Sequence, residues 1–157
     1  MAIEPYQSPF ADEVDVILDD EWLLRRVYPG FLDWEHRDPD GRPRVKAGAF
    51  QDYGEEQAVK LSYESPAMSV AIRCLVDAVT NPSELLATFG PAYGLVAITA
   101  GEARALNQGV MWRPVEGEPW HAIVFDKAVR RRKSTAQSGL ALAATQRWLI
   151  VPPDPRS

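Results

Sequence analysis

The side chains suited to acid–base or metal chemistry are few in this 157-residue sequence, which holds two histidines and one cysteine. His121 alternates with Ile123 and Phe125 in the apolar run WHAIVF, and alternate residues of a strand share one face. We expect His121 to be a hydrogen-bonded residue of the core or its rim, with a catalytic or binding role as the alternative. His36 lies in a polar segment, where we expect it to be solvated.

Neither a metal nor a cofactor is predicted. The histidines form no H-x-x-x-H or H-x-x-E pattern, and one thiol with two histidines does not supply a cysteine-rich zinc site. The chain also contains neither G-x-G-x-x-G nor G-x-x-x-x-G-K-[ST]. Cys74 falls inside the apolar pattern of Met68, Ile72, Leu75 and Val79, so we expect an inert core residue.

Ser62 and Glu64 stand two residues apart in KLSYES, a spacing that puts both side chains on one face of a strand. With Arg25 or Arg26 on another strand, they resemble in residue type the Arg, Ser and Glu with which ADP-ribosyl-transferring toxins hold NAD. The resemblance implies an enzyme or toxin acting on NAD or a nucleotide, through Arg25, Ser62, Glu64 and His121. The other interpretation is a solvent-facing serine and glutamate on an edge strand.

Charge is unevenly distributed in this chain of net charge −5. Residues 1–24 hold seven acidic residues and no basic one, whereas residues 127–133 read KAVRRRK. A surface devoted to nucleic acid is disfavoured, because phosphate binding needs clustered Lys and Arg. The basic segment is either a solvated face or a docking patch for phosphate or for an acidic partner, including the protein's own N-terminus.

Tryptophan and arginine are the strongest candidates for contact with a partner, since both dominate the energetics of protein interfaces. Five tryptophans exceed what a core of this size usually needs, so we expect one or two to be exposed. The predicted partner-binding residues are Trp34, Arg42, Arg44, Trp112, Arg113, Arg130, Arg131, Arg132 and Lys133.

Residues 93–126 hold the clearest structural signals. An apolar strand at 93–99 is followed by Thr99 and Glu102, the spacing of a capping box, and then by a short helix at 101–106. Asn107 and Gly109 favour its end, and two further strands, 110–113 and 120–125, flank a polar turn. We expect these two strands to pair as a hairpin.

The remaining elements are predicted from weaker patterns. We expect a short helix and then a strand within 12–28, a long loop at 31–44 and strands at 45–53 and 58–63. Helices follow from Ser65-Pro66 to Val79 and over 82–88, each starting with a cap residue and a proline. A helix from Ser134 or Thr135 to about Trp148 and a few extended residues at 149–151 complete the pattern.

These elements predict an α/β or α+β protein with a mixed or mainly antiparallel sheet of about six short strands and four or five helices. One domain is expected at 12–151, between a flexible arm at 1–11 and a flexible Pro-rich tail at 152–157. We expect a cytoplasmic protein, because no apolar run approaches the roughly 20 residues of a membrane span and the N-terminus resembles no secretory signal.

The strings GRPRVKAGAF and LVAITAGEARALNQGVMWRPVEGEPWHAIV resemble small bacterial cytoplasmic proteins of unknown function, over about residues 24–151. That resemblance implies a bacterial setting and assigns no functional residue. Because the sequence contains no catalytic motif, we predict a non-enzymatic protein-binding or accessory module. Its oligomeric state is not predicted. The alternatives are the NAD or nucleotide enzyme described above and a nucleic-acid-binding accessory protein that uses residues 130–133.

Overall fold

The computed structural model describes residues 17–51, 67–126 and 134–156. Its strands are β1 (Trp22–Val27), β2 (Leu32–Arg37), β3 (Pro43–Val45), β4 (Met68–Ile72), β5 (Gly94–Thr99), β6 (Gln108–Trp112), β7 (His121–Asp126) and β8 (Trp148–Ile150). Six of them form an antiparallel sheet in the order β6-β7-β4-β1-β5-β8, and β2 pairs with β3 in a separate two-stranded sheet. The antiparallel sheet predicted from the short connections is therefore present.

Helices are fewer than predicted in this part of the chain. The α-helices are α1 (Arg73–Val79), α2 (Ala100–Ala105) and α3 (Ser134–Thr145), and short 3₁₀ helices span Pro29–Phe31, Ala47–Phe50 and Pro82–Leu86. The segment predicted as a helix at 82–88 is one of these 3₁₀ helices, with the Asn81 side chain capping its first turn. The architecture is mixed α/β.

The core fills both faces of the main sheet. One face packs Leu23, Ile72 and Ile98 against Leu140 of α3 and Phe50 of the 3₁₀ helix Ala47–Phe50. The opposite face packs smaller clusters, one of which joins the strand residues Leu24, Ala71 and Leu95 to Val76 of α1 and Leu85. Because both faces are covered, β5 is a nearly continuous buried run rather than an alternating one.

Local signals around β5 are confirmed. Thr99 accepts a hydrogen bond from the Glu102 amide, while Glu102 accepts one from the Thr99 amide, which completes the predicted capping box at the start of α2. Asn107 ends the helix with a φ of 60°. β6 and β7 pair over five residues as predicted, from Gln108 opposite Asp126 to Trp112 opposite Ala122.

The helix predicted from Ser65-Pro66 to Val79 is wrong in its first half. Residues 68–72 form β4, which pairs with β1 on one side and with β7 on the other. Met68, Ile72 and Val76 fit a helical stripe, but Met68, Val70 and Ile72 fit the alternation of a strand equally well. Pairing with two distant strands decides between the two patterns, and the helix starts only at Arg73.

The long loop predicted at 31–44 is also wrong, because it contains the hairpin of β2 and β3. The Asp38-Pro39-Asp40-Gly41 string is the turn between them, and Gly41 adopts a φ of 81°. The strand predicted at 45–53 ends at Val45, after which the chain forms the 3₁₀ helix Ala47–Phe50. The expected strand at 58–63 and arm at 1–11 lie outside the described residues.

Past β8 the chain lies against the β2–β3 hairpin. Pro152 is buried, Asp154 forms an ion pair with Arg37, and Arg156 Nη2 donates to the Trp34 carbonyl over 2.7 Å. Because the Trp148 indole also donates to the Pro43 carbonyl, the hairpin lies at the β8 edge of the main sheet. No helix within residues 17–51, 67–126 and 134–156 is long and apolar enough to cross a membrane.

Candidate functional site

A small cavity opens beside the middle of the main sheet, where the ladder between β1 and β4 is short. The two strands pair only at Leu23–Ile72 and Leu24–Ala71, whereas β1 pairs with β5 along its full length. The cavity has a volume of about 30 Å³. Its polar lining comes from Arg25, Arg26, Ser69, Glu118, Trp120 and His121.

Arg25 holds this region together from the β1 side. Its Nη1 donates to the Ser69 carbonyl over 2.8 Å, and its Nε donates to the Ala49 carbonyl over 3.0 Å. Neither carbonyl belongs to a residue that pairs in the short β1–β4 ladder. Arg25 therefore supplies the hydrogen bonds that buried carbonyls require. Arg26 lies beside it with its guanidinium 4.1 Å from the centre of the Phe89 ring.

His121 contacts Arg113, the residue after β6, and Ser69 of β4 through its two ring nitrogens. Nδ1 lies 2.7 Å from the Arg113 carbonyl oxygen, which can only accept, so Nδ1 carries the proton of the neutral ring. Nε2 is then an acceptor, and it lies 3.1 Å from the Ser69 hydroxyl oxygen. The geometry therefore makes the Ser69 hydroxyl the donor to His121.

Burial lowers the pKa of His121, against the opposing effects of the Arg113 carbonyl and the Glu118 carboxylate, which favour the charged ring. The neutral ring is thus favoured at neutral pH, in agreement with the tautomer that its hydrogen bonds require. His121 behaves as the hydrogen-bonded rim residue that the alternating pattern predicts. It also has the protonation state of a general base.

The residues of the predicted NAD site are only partly within the described structure. Arg25 and His121 line the same cavity, although they are 96 positions apart in the sequence. Ser62 and Glu64 lie outside the described residues. The cavity is also far smaller than the roughly 300–1,000 Å³ of typical small-molecule sites.

A larger groove of about 460 Å³ lies between α3 and the segment that runs from β3 into the 3₁₀ helix Ala47–Phe50. Thr145 of α3 fixes its floor, since the hydroxyl accepts from the Val45 amide over 3.0 Å and donates to the Ala141 carbonyl over 2.9 Å. Arg44 and Lys46 are exposed on the β3 side. Leu142 of α3 lines the groove while 68% of its surface is exposed.

The predicted partner-binding residues lie at two separate places. Trp34, Arg42 and Arg44 are on the β2–β3 hairpin, where Arg42 pairs with Asp38 and Arg44 pairs with Asp33. Trp112 and Arg113 lie at the end of β6, on the opposite edge of the main sheet from the hairpin.

Trp112 also has a local role, because its indole donates to the Pro119 carbonyl over 2.7 Å and so bridges the β6–β7 turn. Arg113 contributes its carbonyl to His121. Of the predicted residues that the structure describes, only Arg44 lines the groove of 460 Å³. Arg130, Arg131, Arg132 and Lys133 lie outside the described residues.

The remaining candidates lie apart from both the cavity and the groove. His36 is exposed as predicted and pairs with Asp33 over 2.7 Å. Cys74 is exposed, so the expected core position is wrong. The apolar pattern around it is divided between β4 and α1, and its last member, Val79, is itself exposed. Partial burial and the nearby Glu21 raise the pKa of the Cys74 thiol to about 11, which keeps it protonated.

Sequence reasoning missed Ser69 and Leu142. Ser69 was hidden by the helix prediction, although the alternation of Met68, Val70 and Ile72 places it on the opposite strand face. Leu142 is the one leucine of α3 that does not fall on the predicted buried side of the helix. An apolar residue on the solvent side of a helix could have identified it as a candidate contact. Among the described residues, no group of three or more His, Cys, Asp or Glu is placed to hold a metal ion.

Comparison with known proteins gives no relative from which a role can be transferred. No protein-family model, no curated protein and no solved structure matches this chain.

Proposed function

We propose that the protein is a binding module that receives an acidic, partly apolar segment of another protein in the groove beside α3. The observation that carries this proposal is the exposed Leu142, which lies in a groove of about 460 Å³ together with the basic residues Arg44 and Lys46. That volume falls within the range of roughly 300–1,000 Å³ found for sites that hold ligands.

The groove has an apolar wall and a basic rim. Val45, Ala47, Ala141 and Leu142 supply the apolar side, and the two basic side chains stand at the β3 side. An amphipathic segment binds such a groove by laying its apolar residues against the wall. Acidic residues on its other side would meet Lys46 and Arg44. Because Arg44 already pairs with Asp33, Lys46 contributes most to the selection of an acidic partner by this chain of net charge −5.

Leu142 is the expected anchor of the contact. Burying an exposed leucine side chain fully contributes about 1.5–3 kcal/mol, and every 1.4 kcal/mol corresponds to about tenfold in affinity. The wall behind it is fixed by the Thr145 and Trp148 hydrogen bonds, so little ordering is needed on binding. Leu142 therefore dominates affinity, and the basic residues contribute mainly to association rate and specificity.

Site-specific photo-crosslinking tests the proposal. The crosslinking residue p-benzoylphenylalanine is placed at Ser138, an exposed residue that lines the groove, and, as a control, at Val79, an exposed residue of α1 outside the groove. The expected result is a protein adduct specific to position 138, whose crosslinked peptide is acidic and apolar. Adding salt should weaken it, because exposed charges are screened.

Two variants decide whether the captured protein uses the groove. Leu142→Asp should lower capture by about tenfold or more, because it removes the anchor and opposes an acidic partner. Lys46→Glu should lower capture of the partner more at low salt than at high salt. Val79→Asp should leave capture unchanged. An adduct that survives Leu142→Asp and Lys46→Glu, or that forms equally at position 79, would refute the proposal.

A further inference from the structure

Ser69 and His121 are held next to one another by the pairing of β4 with β7. Ser69 lies opposite Ile123 and Ala71 lies opposite His121, so Ser69 and His121 are diagonal neighbours on one face of the sheet. Both strands lie inside the sheet, between β6 and β1, which fixes their backbones. Their hydroxyl-to-imidazole distance of 3.1 Å is therefore set by the sheet.

This pair meets the geometric requirements for an activated serine. A nucleophilic hydroxyl needs a base within hydrogen-bond reach, and the base needs a third group that orients it. The Arg113 carbonyl is that third group, because it accepts from Nδ1 and leaves Nε2 facing Ser69. Ser69 and His121 are each partly exposed, and both line the cavity of about 30 Å³.

The cavity also contains groups of the right charge for acyl transfer. Arg25 and Arg26 line it together with Ser69, and the Nη1 of Arg25 already lies 2.8 Å from the Ser69 carbonyl. Positive donors at the place where an oxyanion develops are among the largest contributions to such reactions. Arg26 shares the strand face of Leu24, which pairs with Ala71, and therefore lies on the face of Ser69, whereas N–H groups of Arg25 donate to backbone carbonyls.

We propose that Ser69 and His121 form a nucleophile–base pair that hydrolyses short-chain acyl esters. Ser69 Oγ bonds to the acyl carbon, its proton passes to His121 Nε2, and the carbonyl electron pair moves to the oxygen. The ester C–O bond then breaks, and the leaving alcohol takes the proton from Nε2. Water attacks the acyl-serine, gives a proton to Nε2, and releases the carboxylic acid as Ser69 recovers its proton.

The size of the cavity sets the acyl group. A cavity needs roughly 10–15 Å³ to hold one water molecule, so a volume of about 30 Å³ holds about two water-sized groups. An acetyl group is about the largest acyl chain that this space accommodates beside the hydroxyl. Longer acyl chains are excluded by Leu24, Leu85 and Trp120, which line the same cavity.

Covalent labelling of the full chain tests this site with a small reagent, methanesulfonyl fluoride, read out by intact mass and peptide mapping. The expected result is a single adduct on Ser69 that is absent from Ser69→Ala. Ser83→Ala, which changes an exposed serine outside both the cavity and the groove, should label like the native chain. A folded native protein that takes no reagent, or that takes it on another serine, overturns the proposal.

Turnover of 4-nitrophenyl acetate and 4-nitrophenyl octanoate gives the second readout. The native chain should hydrolyse the acetate and not the octanoate, and Ser69→Ala should fall to the rate in buffer. His121→Asn keeps a donor toward the Arg113 carbonyl but has no base, so it should lose about 10²-fold or more, the usual contribution of a general base. Thermal unfolding of each variant verifies that it folds; acetate turnover unchanged in folded Ser69→Ala overturns the proposal.

Discussion

At the scale of single residues, His121 of β7 joins two other segments of the chain with one side chain. Nδ1 donates to the carbonyl of Arg113, which follows β6, and Nε2 accepts from Ser69 of β4. The bond from the Ser69 hydroxyl to Nε2 requires the neutral ring, because a doubly protonated ring offers Nε2 as a second donor, whereas the bond from Nδ1 to the Arg113 carbonyl forms in both states. Protonation of His121 therefore opposes the folded structure as well as the proposed chemistry.

The pH dependence of stability follows from this. In the unfolded chain His121 titrates near the ordinary value of about 6.5. Burial lowers its pKa in the folded protein, and the positive charges of Arg113 and Arg26 act in the same direction. The Arg113 carbonyl and the Glu118 carboxylate act against them. Below about pH 6.5 the unfolded state binds a proton that the folded state does not, so stability present above that pH is lost as the pH falls.

We expect the free energy of unfolding, measured with urea, to decrease between pH 7 and pH 5. The decrease should be smaller in His121→Asn, which cannot titrate. His36→Asn is the control, since His36 is exposed on β2, and it should keep the dependence of the native chain. If the free energy of unfolding decreased equally with pH in the native protein and in His121→Asn, groups other than His121 would determine the pH dependence.

At the scale of elements, α2 is a helix of six residues whose start is defined by its cap. Burial opposes ionisation of Glu102, but hydrogen bonds from Arg147 and the Thr99 amide lower its pKa, and Arg147 Nη1 lies 2.5 Å from its carboxylate. The same carboxylate thus joins the start of α2 to the segment that leads into β8.

Thr99→Ala should lower the free energy of unfolding by about 1 kcal/mol, because it leaves the Glu102 amide without its capping acceptor. Thr99→Ser keeps the hydroxyl and should recover most of the loss. Urea unfolding of both variants measures the difference. Equal destabilisation by Ala and Ser would mean that the methyl group, rather than the cap, matters.

The β6–β7 hairpin depends on close packing at Gly109. A Cβ added there would lie 2.0 Å from the Phe125 ring, which is too close for any contact, so the ring must move. Gly109→Ala should therefore destabilise the protein by about 1–3 kcal/mol, as overpacking does. In the Phe125→Leu background the same change should cost much less, and an additive double mutant would contradict this account.

Elements with local start and stop signals were predictable from the sequence, whereas those fixed by distant pairing were not. Thr99, Glu102 and Asn107 define α2 within nine residues, and the prediction of α2 is confirmed. β4 carries an apolar pattern that fits two periods, and only its pairing with β1 and β7 selects the strand.

The candidate site follows the same rule. His121 was recognisable by its strand pattern, but Ser69 is 52 residues away and meets it only through the β4–β7 register. The groove beside α3 likewise joins residues about 100 positions apart, such as Val45 and Thr145. No local pattern encodes such contacts.

At the scale of the whole molecule, charge separates the proposed protein partner from a nucleic-acid partner. The net charge is −5, and the densest basic segment is residues 127–133. If that segment held nucleic acid, affinity would fall steeply with salt, because each phosphate contact releases counterions. We expect that adding the protein at physiological salt does not raise the fluorescence anisotropy of a labelled 20-base-pair duplex. Salt-dependent binding lost on changing Arg130, Arg131, Arg132 and Lys133 to Ser would instead support the nucleic-acid interpretation.

The two proposed sites lie in different parts of the fold, so their activities should be separable. The groove is built from α3 and the segment that runs from β3 into the 3₁₀ helix Ala47–Phe50, whereas Ser69 and His121 are on β4 and β7. Within the described parts of the chain, no residue lines both spaces. Perturbations at distant sites without shared partners act independently. Binding and hydrolysis should therefore respond to different substitutions.

We expect Leu142→Asp to abolish crosslinking to the partner while leaving acetate turnover within about twofold of the native rate, since distant sites usually couple by less than about 0.5 kcal/mol. Ser69→Ala should do the reverse. Crosslinking yield and 4-nitrophenyl acetate turnover, measured on the same preparations, test both halves. If Leu142→Asp removed both activities in a folded protein, the groove and the cavity would be coupled through α3 and the sheet, and the independence of the two sites would be wrong.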